Sequence, residues 1–201
     1  MDENKKSKNG MNLPNKLTIL RTVLIPFFLI ALLCDKEYGG FIPYGNWIAL
    51  LIFALASITD MLDGKIARKY NLVTNFGKFM DPLADKLLVS SAMIAFIELD
   101  RIPCWIVIVI IAREFIISGF RLVAADNGIV IAAGIWGKIK TAEQMVMLCI
   151  MIADLGSVFP DAADGIYIFE NVLIYIALIL TIVSLLDYLI HNKGVLAENN
   201  I

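Results

Sequence analysis

A chain of 201 residues would ordinarily form one compact soluble domain, but 59% of it is AVILMFWYC and only 18% is charged, with a mean hydropathy of +0.78. That balance excludes disorder, collagen and disulfide-rich mini-proteins, and the three cysteines (Cys34, Cys104, Cys149) lie far apart in apolar runs, unsuited to bridges or a metal site. A net charge of -2 with no long basic run argues against a nucleic-acid partner, and a polytopic all-α membrane protein is what remains.

Crossing a hydrocarbon core takes roughly 20 mainly apolar residues. Six stretches qualify: about 17–35, 47–67, 79–98, 103–124, 141–156 and 169–190, the fifth being short unless it starts near Trp136. Strands are disfavoured because no run alternates as a barrel wall must. Turn residues separate the stretches: Gly39-Gly40 with Pro43 and Gly45, Asn71 to Gly77, Arg101 to Pro103, Asn127-Gly128, and Gly156 to Gly165. Residues 1–11 read as a polar N-terminal extension, 12–192 as the transmembrane domain and 193–201 as a short tail. The first residues lack the features of a signal peptide.

Basic residues orient the chain. With both termini in the cytoplasm, all of the 17 Lys and Arg except Lys36 and Arg101 fall on the cytoplasmic side or at the helix ends facing it. The opposite loops are acidic, with Asp35, Glu37, Glu98, Asp100, Asp161 and Asp164. The expected location is a cytoplasmic (inner) membrane. His191, the one histidine, reads as a solvated residue past the last span.

Against this apolar background the intramembrane acids stand out, because an ionised carboxylate there is costly unless paired or wet. Asp60 and Asp63 are three apart, and Asp81 and Asp85 four apart. Both spacings stack side chains on one helix face, at the cytoplasmic ends of consecutive antiparallel helices. Converging carboxylates repel, and a divalent cation resolves the repulsion. Oxygen ligands without His or Cys suit Mg²⁺, Mn²⁺ or Ca²⁺. Two such ions about 4 Å apart would form a clamp for displacement at phosphorus. Gly64 and Ala67 share the aspartate face and leave room for a nucleotide, although small residues also serve plain helix packing. Arg68 is placed to pair with a phosphate.

The run Asp60-x-x-Asp63-Gly64-x-x-Ala67-Arg68, eight residues, Gly77-x-x-x-Asp81-x-x-x-Asp85 resembles the complete signature of the CDP-alcohol phosphotransferases. The resemblance implies a fold of six transmembrane helices, a homodimer and a cytoplasm-facing cavity for the CDP-linked donor and two divalent cations, Mg²⁺ or Mn²⁺. It implies that Asp60 and Asp81 bridge the metals, that Asp63 holds the first, and that Asp85 binds the second and acts as base. It places Asn15, Thr18, Gly64, Ala67, Arg68, Thr74 and Gly77, with Asp60 and Asp63, around the CDP moiety.

A second basic set bears on the acceptor alcohol: Arg113, Arg121, Lys138 and Lys140, on the fourth stretch and the turn into the fifth. Arg113 is ten residues into an apolar run, where it needs an anion. Its neighbour Glu114 reads as a poor partner, since adjacent helical side chains diverge by about 100°. A phosphate is the better one, so a phosphorylated alcohol is expected, with snorkelling at the membrane surface as the plainer explanation of the two lysines. The opening Asn12-Leu-Pro-Asn15-Lys-Leu-Thr18 and the Arg113–Arg121 and Gly137–Thr141 stretches also resemble the branch of the family that takes such an acceptor. That resemblance implies CDP-diacylglycerol as donor, sn-glycerol 3-phosphate as acceptor, and membrane lipid as surroundings. A cardiolipin-type or inositol-phosphate transferase, a cation transporter and a catalytically silent relative remain as alternatives.

Overall fold

The protein was analysed as a computed structural model, which describes residues 13–69, 75–126, 131 and 134–192, with side chains for 17–59, 84, 86–124, 131 and 134–192. The described residues form six long helices: α1 (Leu13–Leu33), α2 (Gly45–Lys69), α3 (Asn75–Glu98), α4 (Cys104–Asp126), α5 (Ile135–Ala153) and, after the single turn α6 (Leu155–Val158), α7 (Ala163–His191). Short 3₁₀ turns lie at Lys36–Tyr38 and Pro160–Ala162, and Asp35 and Ile42 form an isolated bridge. Among the described residues there is no other strand pairing, in keeping with the apolar runs' lack of alternation. The fifth helix does begin beside Trp136, and the last starts six residues earlier than hydropathy alone places it.

Two of these stretches, Ile135–Val158 and Pro160–His191, are long and apolar enough to cross a membrane, while Leu17–Leu33 and Gly45–Thr59 are apolar over shorter lengths. The sequence-based count of six is thus not reproduced by apolar length among the described residues. Arg113, Glu114 and Arg121 interrupt α4, and the described side chains cover only parts of α1, α2 and α3.

Helix α1 packs most extensively against α2 and α3, α5 against α7 and α2, and α4 against α7. The core between them is built from Phe28 and Leu32, Phe53, Met93 and Phe96, Ile106 and Ile110, and Met147, Leu148 and Met151. Phe28 and Phe53 meet with ring centroids 5.7 Å apart. Buried alanines at 49, 56, 92 and 177 let the backbones approach, the usual role of small residues in membrane helix packing. Cys34, Cys104 and Cys149 are all free, as their spacing suggests.

The end of the molecule away from the aspartate motif is tied by polar contacts. Asp35, which reads as an exposed loop acid in the sequence, is fully buried. Its Oδ1 accepts from the Glu37 amide and its Oδ2 from the Asn46 amide, both at 2.6 Å. The Asn46 side chain in turn donates to the Ala153 carbonyl at 3.3 Å, joining the start of α2 to the end of α5. Helices α3 and α5 are followed by aspartates in the left-handed region, Asp100 (φ 53°) and Asp154 (φ 44°), where sequence reasoning would look for glycine. Aspartate is one of the few other residues that tolerates this conformation.

At Gly45 the start of α2 lies tight against the end of α1. A Cβ there would stand 2.3 Å from the Ala31 carbonyl oxygen and 2.9 Å from Asp35 Oδ2. Gly45→Ala is therefore expected to destabilise by about 1–3 kcal/mol, the usual range for overpacking. A lower melting temperature in detergent checks it, and an unchanged melt would show that α1 shifts freely.

Candidate active site

Helix α2 is continuous across positions 60–68 and α3 across 77–85, so both aspartate spacings fall on unbroken helix. The side chains of Asp60, Asp63, Gly64, Ala67, Arg68, Gly77, Asp81, Asp85 and Asn15, and Thr74 altogether, lie outside the described residues. Helix α1 bridges the two motif helices by packing against both. On α1, Thr18 and Arg21 are buried, at 1% and 2% exposure. The acidic motif residues on α2 and α3 are all aspartates, so any donors they supply are carboxylate oxygens. Oxygen ligands of that kind suit a hard divalent cation rather than zinc. Among the described residues no group of three or more His, Cys, Asp or Glu side chains could hold a metal ion.

The second basic set is described in detail, and here the structure corrects the sequence. Glu114 is the partner of Arg113: Arg113 Nη1 donates to Glu114 Oε1 at 2.8 Å. The same oxygen accepts from Lys140 Nζ at 2.7 Å, across from α4 to α5. The backbone offset between neighbours is real, but two long side chains can curl round the helix, and an incoming lysine from α5 draws the carboxylate to one side. Lys140 is almost wholly enclosed, at 1% exposure, and also donates to Gln144 Oε1, one turn along α5, at 2.5 Å. Gln144 Nε2 rests on Met93 Sδ of α3 at 3.0 Å. Lys86, the residue after Asp85, reaches the Glu114 carbonyl at 3.5 Å. The cluster therefore lies within one lysine side chain of the α3 turn that carries position 85.

Arg121 and Lys138 stand apart from this pair. Arg121 lies over the Tyr188 ring of α7, 5.8 Å from its centroid, and Lys138 is exposed on α5. Neither Glu114 nor Gln144 was identified from sequence. The i, i+4 spacing of Lys140 and Gln144 was the available signal for the second, and nothing local pointed to the first. Glu143, one turn from Lys140, has both carboxylate oxygens buried without a hydrogen-bond partner, as has Arg113 its Nε.

A separate cavity of about 680 Å³ opens at the other end of the bundle, lined by Tyr38, Arg101, Asp154, Tyr167 and Glu170 among others. Its one lining cation is held internally: Arg101 pairs with Asp154 at 3.0 Å and Glu170 at 2.5 Å and donates to the Tyr38 hydroxyl at 3.0 Å. Burial, reinforced by the Asp154 carboxylate, pushes the Tyr38 phenol above its ordinary range. Burial works against the Arg101 charge, but its bonds to Glu170 and the surrounding anions outweigh that and hold the guanidinium protonated. With α3 rising about 1.5 Å per residue, this end is ~20 Å or more from position 85.

An all-helical chain with a carboxylate-only motif at one end and a buried cation pair beside it has the parts of a metal-dependent group-transfer enzyme, and comparison with known proteins agrees. The family model described as CDP-alcohol phosphatidyltransferase matches residues 11–183, and the chain belongs to that family. It is 43% identical to the CDP-diacylglycerol–glycerol-3-phosphate 3-phosphatidyltransferase of Bacillus subtilis (strain 168), over 94% of this chain and 99% of the relative. It is 41% identical to the enzyme of the same name from Haemophilus influenzae (strain ATCC 51907 / DSM 11121 / KW20 / Rd), over 94% and 97%. With a probable phosphatidylglycerophosphate synthase of Mycobacterium tuberculosis (strain ATCC 25618 / H37Rv) it shares 38% identity, over 88% and 79%. Members of this family are membrane-associated transferases that generally use divalent cations.

Proposed function

We propose that the protein transfers the phosphatidyl group of CDP-diacylglycerol to sn-glycerol 3-phosphate, forming phosphatidylglycerol phosphate and releasing CMP. The observation that carries this reading is the Arg113–Glu114–Lys140 cluster, a cation pair suited to a phosphorylated acceptor and adjoining the turn that carries Asp85. The names of the relatives support the same donor and acceptor.

Asp60, Asp63, Asp81 and Asp85 would hold two divalent cations, Mg²⁺ or Mn²⁺, with Asp60 and Asp81 serving both. Bound there, such ions neutralise the diphosphate and the departing CMP. Asn15, Thr18, Gly64, Ala67, Arg68, Thr74 and Gly77 contact the CDP moiety. Asp85 takes the proton of the acceptor's 1-hydroxyl. The oxygen then bonds to the β-phosphorus in line, and the bond from that phosphorus to the bridging oxygen breaks, so that CMP leaves with the electron pair. Arg113 and Lys140 receive the acceptor's phosphate, with Arg121 and Lys138 adding positive charge at longer range.

The chain crosses a cytoplasmic membrane six times, with both termini and the active site on the cytoplasmic side, and works as a homodimer. The six-span arrangement is supported by large apolar side chains more than half exposed on every long helix: Phe27, Leu51, Ile94, Ile108, Val146 and Ile179. Water-soluble monomers rarely expose contiguous apolar surface on this scale.

Purified protein given CDP-diacylglycerol, Mg²⁺ or Mn²⁺ and a panel of alcohols tests the reaction. CMP release is expected with sn-glycerol 3-phosphate; release with phosphatidylglycerol or an inositol phosphate instead would move the assignment to another branch. Arg113→Ala is expected to raise KM for glycerol phosphate by about tenfold or more, the scale of losing a charge-assisted hydrogen bond, and to change KM for the lipid little. Arg121→Ala is expected to act in the same direction but more weakly. Equal effects on both substrates would count against the acceptor pocket.

A further inference from the structure

We propose that Glu114 is the positioning residue of the acceptor-phosphate clamp, a carboxylate inside the chain that locks the Arg113 guanidinium and the Lys140 ammonium at phosphate spacing. This rests on the reading of Arg113 and Lys140 as acceptor ligands. Because Arg113 Nη1 and Lys140 Nζ lie 2.8 Å and 2.7 Å from one oxygen, Glu114 Oε1, they are within about 5.5 Å of each other. Two donors at that separation can both reach oxygens of a single phosphate. Holding two cations so close in a low-dielectric interior requires an anion between them, or repulsion drives them apart.

Arg113 spends only Nη1 on Glu114. Its Nε is buried without a partner in a residue only 6% exposed, and a buried donor of that kind calls for an acceptor. The Nε edge of a guanidinium is one of the edges that grips phosphate in bidentate fashion. On the other side of that edge α5 has a glycine: a Cβ at Gly137 would come 3.5 Å from Arg113 Nη2. Lys140 is fixed from behind by Gln144, itself seated on Met93.

Among the described residues, the charges facing the cluster are Lys86 from α3, Arg113 and Glu114 from α4, and Lys140 and Glu143 from α5. These are three cations against two carboxylates, so Glu114 alone does not cancel the attraction of the Arg113 and Lys140 pair for a phosphate. Its removal has two opposed effects, more net positive charge and loss of geometry. In a site this enclosed the second dominates, because the two cations no longer share an anchor.

The test is steady-state kinetics of CMP release with each substrate varied in turn, on Glu114→Ala, Glu114→Gln and Lys140→Met, with Lys140→Met reporting on the pocket itself. Glu114→Ala is expected to raise KM for sn-glycerol 3-phosphate about tenfold or more while KM for CDP-diacylglycerol stays within about twofold. Glu114→Gln, whose amide oxygen still accepts both hydrogen bonds, should recover part of that loss, which a purely packing role does not predict. An acceptor KM raised in Lys140→Met but unchanged in both Glu114 variants overturns the positioning role alone. No acceptor effect in any of the three overturns it together with the pocket. Should Glu114→Ala fail to fold, the nearly isosteric Glu114→Gln decides by the same comparison.

Discussion

Asp60→Asn and Asp81→Asn are each expected to lower CMP release by at least about a thousandfold, the scale at which losing one preorganised electrostatic group at a reacting centre is felt. Both positions lie on continuous helix, α2 and α3 respectively, and asparagine keeps the shape of aspartate, so the fold should survive the change. On the proposed metal role, what is lost is a negative charge that would face two cations, and a neutral amide oxygen is a much poorer ligand for a hard ion. Chelation of the unaltered enzyme should likewise stop turnover, and added Mg²⁺ or Mn²⁺ should restore it. Near-normal activity in either variant, with an unchanged melting temperature, would refute the metal role. Ion movement without nucleotide would point to the transporter reading instead.

The second large effect is on stability. Arg101→Met is expected to destabilise by about 3–5 kcal/mol, because breaking a buried ion pair from one side strands the opposite charge. Here it strands two, Asp154 and Glu170, whose side chains are 4% and 3% exposed. The guanidinium also lies 4.9 Å from the centroid of the Tyr167 ring and donates to Tyr38, so one side chain ties four segments at the end away from the aspartate motif. Arg101→Met combined with Glu170→Gln should recover part of the loss by removing one stranded charge. Turnover well below the melting temperature should be little changed, because Arg101 is ~20 Å or more from position 85 along α3. Thermal melts in detergent alongside CMP release check both halves, and a single variant that melts like the unaltered protein would sink the staple interpretation.

Arg101 also shows how far the sequence can be read. It is one of two basic residues on the side that the charge pattern assigns to the outside, an exception that stays unexplained until Asp154 and Glu170 are seen to meet it. Asp35 looks like a solvated loop acid and is instead a fully buried cap for two amides. Glu114 was set aside on a correct statement about helix geometry. That statement concerns where adjacent Cβ atoms point and does not limit what two long side chains can reach once Lys140 arrives from another helix.

The sequence by itself determined the helical class, the approximate limits of all six long helices and the aspartate motif. Each of these rests on local spacing, an apolar run long enough to matter or acids three and four residues apart, and spacing along one helix is written in the chain. Only the tertiary structure decided which charges pair: Glu114 between Arg113 and Lys140, Arg101 between Asp154 and Glu170, Asn46 on Ala153. Those contacts join helices distant in sequence. In a low-dielectric interior a charge takes whichever opposite partner packing brings near, and no local pattern encodes that choice.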